Sequence, residues 1–135
     1  MVEDKRPHVL FVCTQNAGRS QMAAALFNRH AAGRGVAHSA GTRPARHVHP
    51  EVVEVMREID LDLSDVQPRL MTADLATGTV RVITMGCGEG ECPVVGVPVE
   101  DWGLPDPAGQ PLVTVRAIRD DIDRRVRSLI STLAI

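Results

Sequence analysis

The segment from Cys13 to Ser20, CTQNAGRS, has the form C-x5-R-S and is the part of the sequence best suited to chemistry. It follows the apolar stretch HVLFV and precedes an alanine-rich stretch, which predicts a loop between a strand and a helix. Consecutive backbone N–H groups in such a loop, together with the positive end of the helix, can bind a tetrahedral oxyanion. The planar guanidinium of Arg19 can bind two oxygens of that anion. The same positive field favours a thiolate, which makes Cys13 a candidate nucleophile.

The other residues of this loop are predicted to shape it and to line the anion. Ser20 can donate a hydrogen bond to the sulfur, Asn16 can hold the loop backbone, and Gly18 permits an unusual backbone angle. The competing interpretation is a buried cysteine followed by a surface arginine, but the position between strand and helix favours the anion loop. The predicted anion-binding residues are Thr14, Gln15, Asn16, Ala17, Gly18, Arg19 and Ser20.

Asp106, in the segment EDWGLPDPAG, is the candidate general acid. When a thiolate displaces an oxygen from a tetrahedral anion, that oxygen has to be protonated, and a positioned carboxylic acid contributes typically ~10²–10⁴-fold. Prolines on both sides of Asp106 stiffen its loop. An ordinary Asp-Pro turn is the alternative, and Asp101 is the weaker rival for the role of acid.

Two further thiols lie in the segment CGEGEC, where two glycines and two glutamates separate Cys87 from Cys92. This composition predicts an exposed, movable loop, which suits the transfer of a disulfide from one thiol to another. The glutamates disfavour the thiolates, so activation has to come from the anion site or from a partner. Two other interpretations stay open: a zinc site completed by His47 and His49, and a pair of inert buried thiols.

Strands and helices are predicted to alternate along the chain, which indicates an α/β three-layer sandwich around a parallel sheet. Ligands bind such sheets beyond the carboxyl ends of the strands. Because Cys13, Cys87 and Asp106 each follow a predicted strand, we expect them at one shared site. The predicted strands are 8–12, 36–40, 79–84 and one within 94–99; the predicted helices are 21–32, 51–59, a short one capped by Thr72, and one along 115–133.

Length and composition limit the remaining possibilities. The 135 residues suit a single domain, 1–135, and a formal net charge of −2 gives no reason to expect nucleic acid or an anionic membrane as a partner. The sequence has no apolar run long enough to span a membrane and lacks the features of a signal peptide, so a cytoplasmic location is expected. There, three cysteines favour catalytic or redox roles over structural disulfides. We expect a monomer with no metal and no cofactor.

With these residues placed, the chain resembles the low-molecular-weight protein tyrosine phosphatase family, and within it the thioredoxin-coupled arsenate reductases. The resemblance implies a four-stranded parallel sheet of order 2-1-3-4 with helices on both faces. It also implies that Cys13 is the nucleophile, that Arg19 binds the anion, that Asn16 and Ser20 shape the loop, and that Asp106 is the general acid. The segments that carry it are VLFVCTQNAGRSQMA, SAGTRPA, VHPEVVEVM, DLSDVQPRL, TMGCGEGECP and DWGLPDPAG.

Three features make the resemblance closer to the reductases than to the phosphatases. RSQMA closes the loop where the phosphatases usually have RSP, the chain has no tyrosine to flank a phenol ring, and Cys87 and Cys92 have a role only in a reductase. The resemblance therefore implies that arsenate is reduced to arsenite through a Cys13, Cys87 and Cys92 disulfide relay. It implies thioredoxin as the reductant, and phosphate or sulfate as competing anions.

Several alternatives stay open at this point. A phosphatase acting on phosphotyrosine or a small phosphate ester would need Cys13, Arg19 and Asp106 but not Cys87. A reductase that uses a low-molecular-weight thiol such as mycothiol would need one catalytic cysteine, and a non-enzymatic anion or metal sensor would not need Asp106. Some relatives have a glutamate that contributes to a potassium site where this chain has Ala24, which argues against that site.

Overall fold

The structure, a computed structural model, describes residues 5–85 and 97–135. No helix in these two ranges is long and apolar enough to cross a membrane. The strands are β1 (His8–Cys13), β2 (Val36–Gly41), β3 (Arg81–Thr84) and β4 (Val99–Asp101), and the helices are α1 (Arg19–Ala31), α2 (Pro50–Arg57), α3 (Ala73–Ala76) and α4 (Leu112–Thr132).

The strands form one parallel sheet of order β2-β1-β3-β4, which confirms the predicted fold and strand order. Cys13 pairs with Gly41 across β1 and β2. On the other side of β1, Val12 pairs with Thr84, which pairs in turn with Asp101. The carboxyl ends of all four strands therefore meet at one edge of the sheet, the edge at which proteins of this class bind ligands.

Helices cover both faces of this sheet, because successive strand residues point to opposite sides. On one face, Phe11 and Ile83 belong to a large apolar cluster that includes the buried sides of α1, α2 and α4. On the other face, Leu10 and Val12 pack with Ala76 of the short helix α3. The three-layer arrangement predicted from the sequence is thus confirmed, with most of the helical mass on one side.

The structure corrects three details of the predicted elements. Helix α1 begins at Arg19 instead of residue 21, because the last residues of the anion loop already form its first turn. The fourth strand occupies Val99–Asp101, later than the predicted position within 94–99; its residues are exposed, so they lack the buried apolar pattern on which the prediction relied. Thr72 precedes α3, but its side chain makes no capping hydrogen bond.

An ion-pair cluster at Glu58 joins the end of α2 to α4. Arg116 donates three hydrogen bonds to the Glu58 carboxylate, at 3.0, 2.9 and 2.8 Å, and Arg119 Nη1 donates one to Glu58 Oε1 at 2.9 Å. The hydrogen bond from Arg116 is the main reason that the pKa of Glu58 is lowered, and Arg119 acts in the same direction. The cluster helps to hold α2, and His49, just before α2, binds the anion loop through its backbone N–H.

Candidate active site

Cys13 ends β1 and begins the loop that leads into α1. Its side chain is buried, and its Sγ lies 2.9 Å from Ser20 Oγ. Ser20 belongs to the first turn of α1, so a strand and a helix together place these two atoms. That first turn contains no acidic residue to offset the positive end of the helix dipole. An anion or a thiolate is therefore favoured at this position.

Asn16 leaves the hydroxyl hydrogen of Ser20 available to the sulfur. Its Nδ2 donates to Ser20 Oγ at 2.8 Å. Because Ser20 Oγ accepts that bond, its own hydrogen is available to Cys13, and a thiolate sulfur acts only as an acceptor. The resulting chain runs from Asn16 to Ser20 to Cys13 and stabilises the charged form of the candidate nucleophile.

Segment 42–49 binds the outside of the anion loop through backbone hydrogen bonds. Each peptide plane in the described residues is trans, so a C=O group and the N–H group that follows it point in opposite directions. Since the loop carbonyls point towards segment 42–49, the N–H groups that follow them point away from it, into the loop, as an oxyanion site requires. The bonds are Thr42 N to Cys13 O (3.2 Å), Arg43 N to Thr14 O (2.7 Å), Ala45 N to Gln15 O (2.9 Å) and His49 N to Ala17 O (2.9 Å).

Arg19 connects the anion loop to the segment that carries Asp106. The Arg19 side chain is buried, and its Nη1 donates to Leu104 O at 3.0 Å. A buried guanidinium needs polar or anionic partners to offset the loss of its hydration. The bond to Leu104 O uses only one of the N–H donors of the Arg19 guanidinium. The planar shape of this group suits the binding of a tetrahedral oxyanion.

A side chain at Gly18 would collide with the same segment. An ideal Cβ at Gly18 would lie 2.7 Å from Pro107 Cγ and 3.6 Å from His49 Cδ2. Gly18 has φ −144° and ψ −94°, outside the helical and extended regions, while the left-handed residue of the loop is Asn16, with φ 51°. The close approach of Pro107 is thus a second reason for glycine at position 18, besides the unusual backbone angle expected from the sequence.

The two candidate acids have different surroundings. Asp106 is exposed, precedes the buried Pro107, and accepts a hydrogen bond from Ala108 N at 3.0 Å. Asp101 lies in β4, where its Oδ1 accepts a hydrogen bond from Thr84 Oγ1 at 2.8 Å. Pro107, the neighbour of Asp106, is packed on the anion loop, and the role of Asp106 as the acid stays a prediction.

Cys87 and Cys92 lie outside the described residues, so their roles stay predictions. His47 is exposed, whereas His49 lies just before α2 with its ring beside Gly18. Residues 5–85 and 97–135 contain no group of three or more side chains that could hold a metal ion. The zinc alternative, which needs both cysteines, is therefore left as a prediction.

Comparison with known proteins identifies the family. The family model described as low molecular weight phosphotyrosine protein phosphatase matches residues 8–92. The chain belongs to this family. The match includes the anion loop and both loop cysteines, but Asp106 lies beyond it. The resemblance inferred from the motifs is confirmed.

Relatives with similar sequences and structures carry reductase names. A Halobacterium salinarum protein provisionally named an arsenate reductase is 48% identical, over 88% of this chain and 87% of that protein. Arsenate reductase 1 of Bacillus cereus is 32% identical, over 97% of this chain and 98% of its own length. The structure of a Corynebacterium glutamicum thioredoxin-dependent arsenate reductase matches with a TM-score of 0.83 at 37% identity, over 98% of this chain; the chain spans 64% of that protein's length.

The sequence analysis did not identify the residues outside the anion loop that bind it or pack against it. Gln21 Nε2 donates to both Asn16 O and Asn16 Oδ1, each at 3.1 Å, and Arg69 N donates to Asn16 Oδ1 at 2.9 Å. Gly41 packs against the loop backbone, and Leu104 binds Arg19 through its carbonyl. The one available signal was Gln21, a polar residue that directly precedes the apolar run 22–27 of the predicted helix.

Replacing Gly41 with alanine is expected to displace the anion loop. The new Cβ would lie 2.7 Å from Thr14 O and 2.8 Å from Asn16 N, and such overpacking typically costs about 1–3 kcal/mol. We expect Gly41→Ala to lower the free energy of unfolding in urea and to weaken the binding of inorganic phosphate.

The matched control is Gly103→Ala, because an added Cβ there meets only Asp101 Oδ2, at 3.8 Å. This variant should unfold and bind phosphate like the wild type. A Gly41→Ala protein with wild-type stability and phosphate affinity would show that the loop does not depend on this close approach.

Proposed function

We propose that this protein reduces arsenate to arsenite, with Cys13 as the nucleophile. The observation that carries the proposal is the directed hydrogen-bond chain from Asn16 through Ser20 to the Cys13 sulfur, at 2.8 and 2.9 Å. It supports a thiolate inside a loop whose N–H groups point inward. The reductase names of the similar proteins support arsenate as the anion that this thiolate attacks.

In the first step, the Cys13 thiolate attacks the arsenic atom and an As–O bond breaks. The departing hydroxyl group of the hydrogen arsenate ion takes a proton from Asp106 and leaves as water. Arg19 and the inward N–H groups stabilise the negative charge of the remaining oxygens. The product is a covalent adduct in which the Cys13 sulfur is bonded to arsenic(V).

In the second step, the Cys87 thiolate attacks the Cys13 sulfur. A Cys13–Cys87 disulfide forms, the S–As bond breaks, and its electron pair stays on arsenic, which leaves as arsenite. Cys92 then attacks Cys87, so that a Cys87–Cys92 disulfide forms and the Cys13 thiolate is released. Thioredoxin reduces the last disulfide and is itself oxidised; the dependence of the Corynebacterium glutamicum relative on thioredoxin supports this donor.

A phosphatase is the second candidate, favoured by the description of the family model. It would use Cys13, Arg19 and Asp106 in the same positions, because phosphate and arsenate share shape and charge. The chain has no tyrosine to flank the ring of a phosphotyrosine. A third variant, with mycothiol in place of Cys87, shares the first step and differs only in the thiol that releases arsenite.

Replacing Cys92 with serine is expected to trap the relay after its second step. Without Cys92, the Cys13–Cys87 disulfide cannot be passed on, so each molecule should release one arsenite and then stop. Mass spectrometry of Cys92→Ser after incubation with arsenate should find this disulfide, and incubation with phosphate should not produce it.

Cys87→Ser is the matched control, because it should stop at the adduct on Cys13 without forming any protein disulfide. Multiple turnover by Cys92→Ser at the wild-type rate with thioredoxin would contradict the relay. Phosphate ester hydrolysis without any arsenate-dependent disulfide in either variant would favour the phosphatase.

Replacing Asp106 with asparagine is expected to slow the first step by about 10²–10⁴-fold, because the amide cannot protonate the departing oxygen. Rapid-quench measurement of single-turnover arsenite release would show the loss. The comparison variant is Asp101→Asn, which alters the carboxylate bonded to Thr84 and should leave the rate much closer to that of the wild type. The reverse ranking of the two variants would assign the acid to Asp101.

A further inference from the structure

We propose that Gln21 is a positioning residue that orients the hydrogen-bond chain ending on Cys13. Gln21 lies in the first part of α1, and its side chain is only 4% exposed. Its Nε2 lies 3.1 Å from Asn16 O and 3.1 Å from Asn16 Oδ1. Both hydrogen bonds from the Gln21 amide go to Asn16, which indicates that Gln21 positions this loop residue in addition to packing in the core.

The first task is to hold an uncommon backbone conformation. Asn16 has φ 51°, a left-handed conformation that is unfavourable for a residue other than glycine. Gln21 binds the backbone oxygen and the side-chain oxygen of Asn16 together, so it restrains the backbone and the side chain of this residue at once. Without that restraint, the loop would lose part of its preference for the anion-binding shape.

The second task is to choose which end of the Asn16 amide faces Ser20. Asn16 Oδ1 accepts from Gln21 Nε2 and from Arg69 N, and both are donors. A rotated amide would place its own N–H groups against these donors, which is unfavourable for buried groups. The observed orientation therefore directs Nδ2 to Ser20 Oγ, and Ser20 can donate to the sulfur.

Of the two donors to Asn16 Oδ1, only the one from Gln21 belongs to a side chain and can be removed by substitution. The contribution of Arg69 comes from its backbone N–H, which a side-chain substitution does not remove. Gln21→Met keeps the length of the side chain and removes the donor. The expected consequence is a weaker hydrogen bond to sulfur and a less stable Cys13 thiolate, with Gln21 itself touching neither the anion nor the sulfur.

The test is the pH profile of Cys13 alkylation by iodoacetamide in full-length protein with Cys87→Ser and Cys92→Ser, which leaves Cys13 as the one thiol. In this background, Gln21→Met should react about tenfold more slowly at neutral pH, and its profile should move to higher pH, since a weaker hydrogen bond to the charged sulfur disfavours the thiolate. The matched control is Asn28→Leu, which removes another α1 amide that binds backbone, at Ala37, and should leave the profile unchanged.

A double-mutant cycle with Ser20→Ala separates positioning from general structural support. If Gln21 acts through Asn16 and Ser20, Gln21→Met should shift the profile little further once Ser20 is absent. Equal shifts in both backgrounds, or an unshifted profile for Gln21→Met, would overturn the inference. Should Gln21→Met fail to fold, Gln21→Asn, which is one methylene too short to reach both oxygens, is expected to give the same shift.

This inference rests on Cys13 as the nucleophile of the proposed function. Alkylation requires neither arsenate nor thioredoxin, so its outcome is independent of the substrate and of the relay. An unshifted profile would reject the role of Gln21 alone, whereas failure of arsenate-dependent disulfide formation would reject the proposed function alone.

Discussion

The hydrogen bond between Ser20 Oγ and the Cys13 sulfur is the interaction on which the rest of the site depends. A buried thiolate is costly unless donors surround it, and here the Ser20 hydroxyl, which accepts a hydrogen bond from Asn16, can donate to the sulfur. Asn16 has a left-handed backbone, and its Oδ1 accepts hydrogen bonds from Gln21 and Arg69, which lie outside the loop. The Cys13 sulfur is therefore connected by hydrogen bonds to Ser20, then to Asn16, and then to Gln21 in α1.

The fold provides these partners because a parallel sheet brings all its carboxyl ends to one edge. Segment 42–49, which follows β2, binds the loop carbonyls and so turns the loop N–H groups inward. The segment before α4 also contacts the loop, where Leu104 binds Arg19 and Pro107 packs on Gly18. The anion loop is thus in contact with segment 42–49 and with the segment before α4, and the latter contains the candidate acid, Asp106.

The sequence predicted the parts of this site that lie close together along the chain. The C-x5-R-S spacing identified Cys13 and Arg19, and the alternation of strands and helices predicted a parallel sheet between helices. The strand order that the structure confirms was implied by the family resemblance. The spacing does not reveal contacts between distant segments, such as Leu104 with Arg19, because backbone carbonyls leave no mark on residue type. The fourth strand was placed too early because Val99–Asp101 is an exposed edge without the apolar pattern that marks a buried strand.

The most direct test of the central claim is the oxidation of NADPH by thioredoxin reductase and thioredoxin in the presence of this protein and arsenate. The account predicts steady oxidation that requires arsenate and that disappears when Cys13 or Cys87 is replaced by serine, with phosphate acting only as a competing anion. Oxidation that persists without Cys87, or its absence with the wild-type protein while a phosphate ester is hydrolysed, would contradict the account.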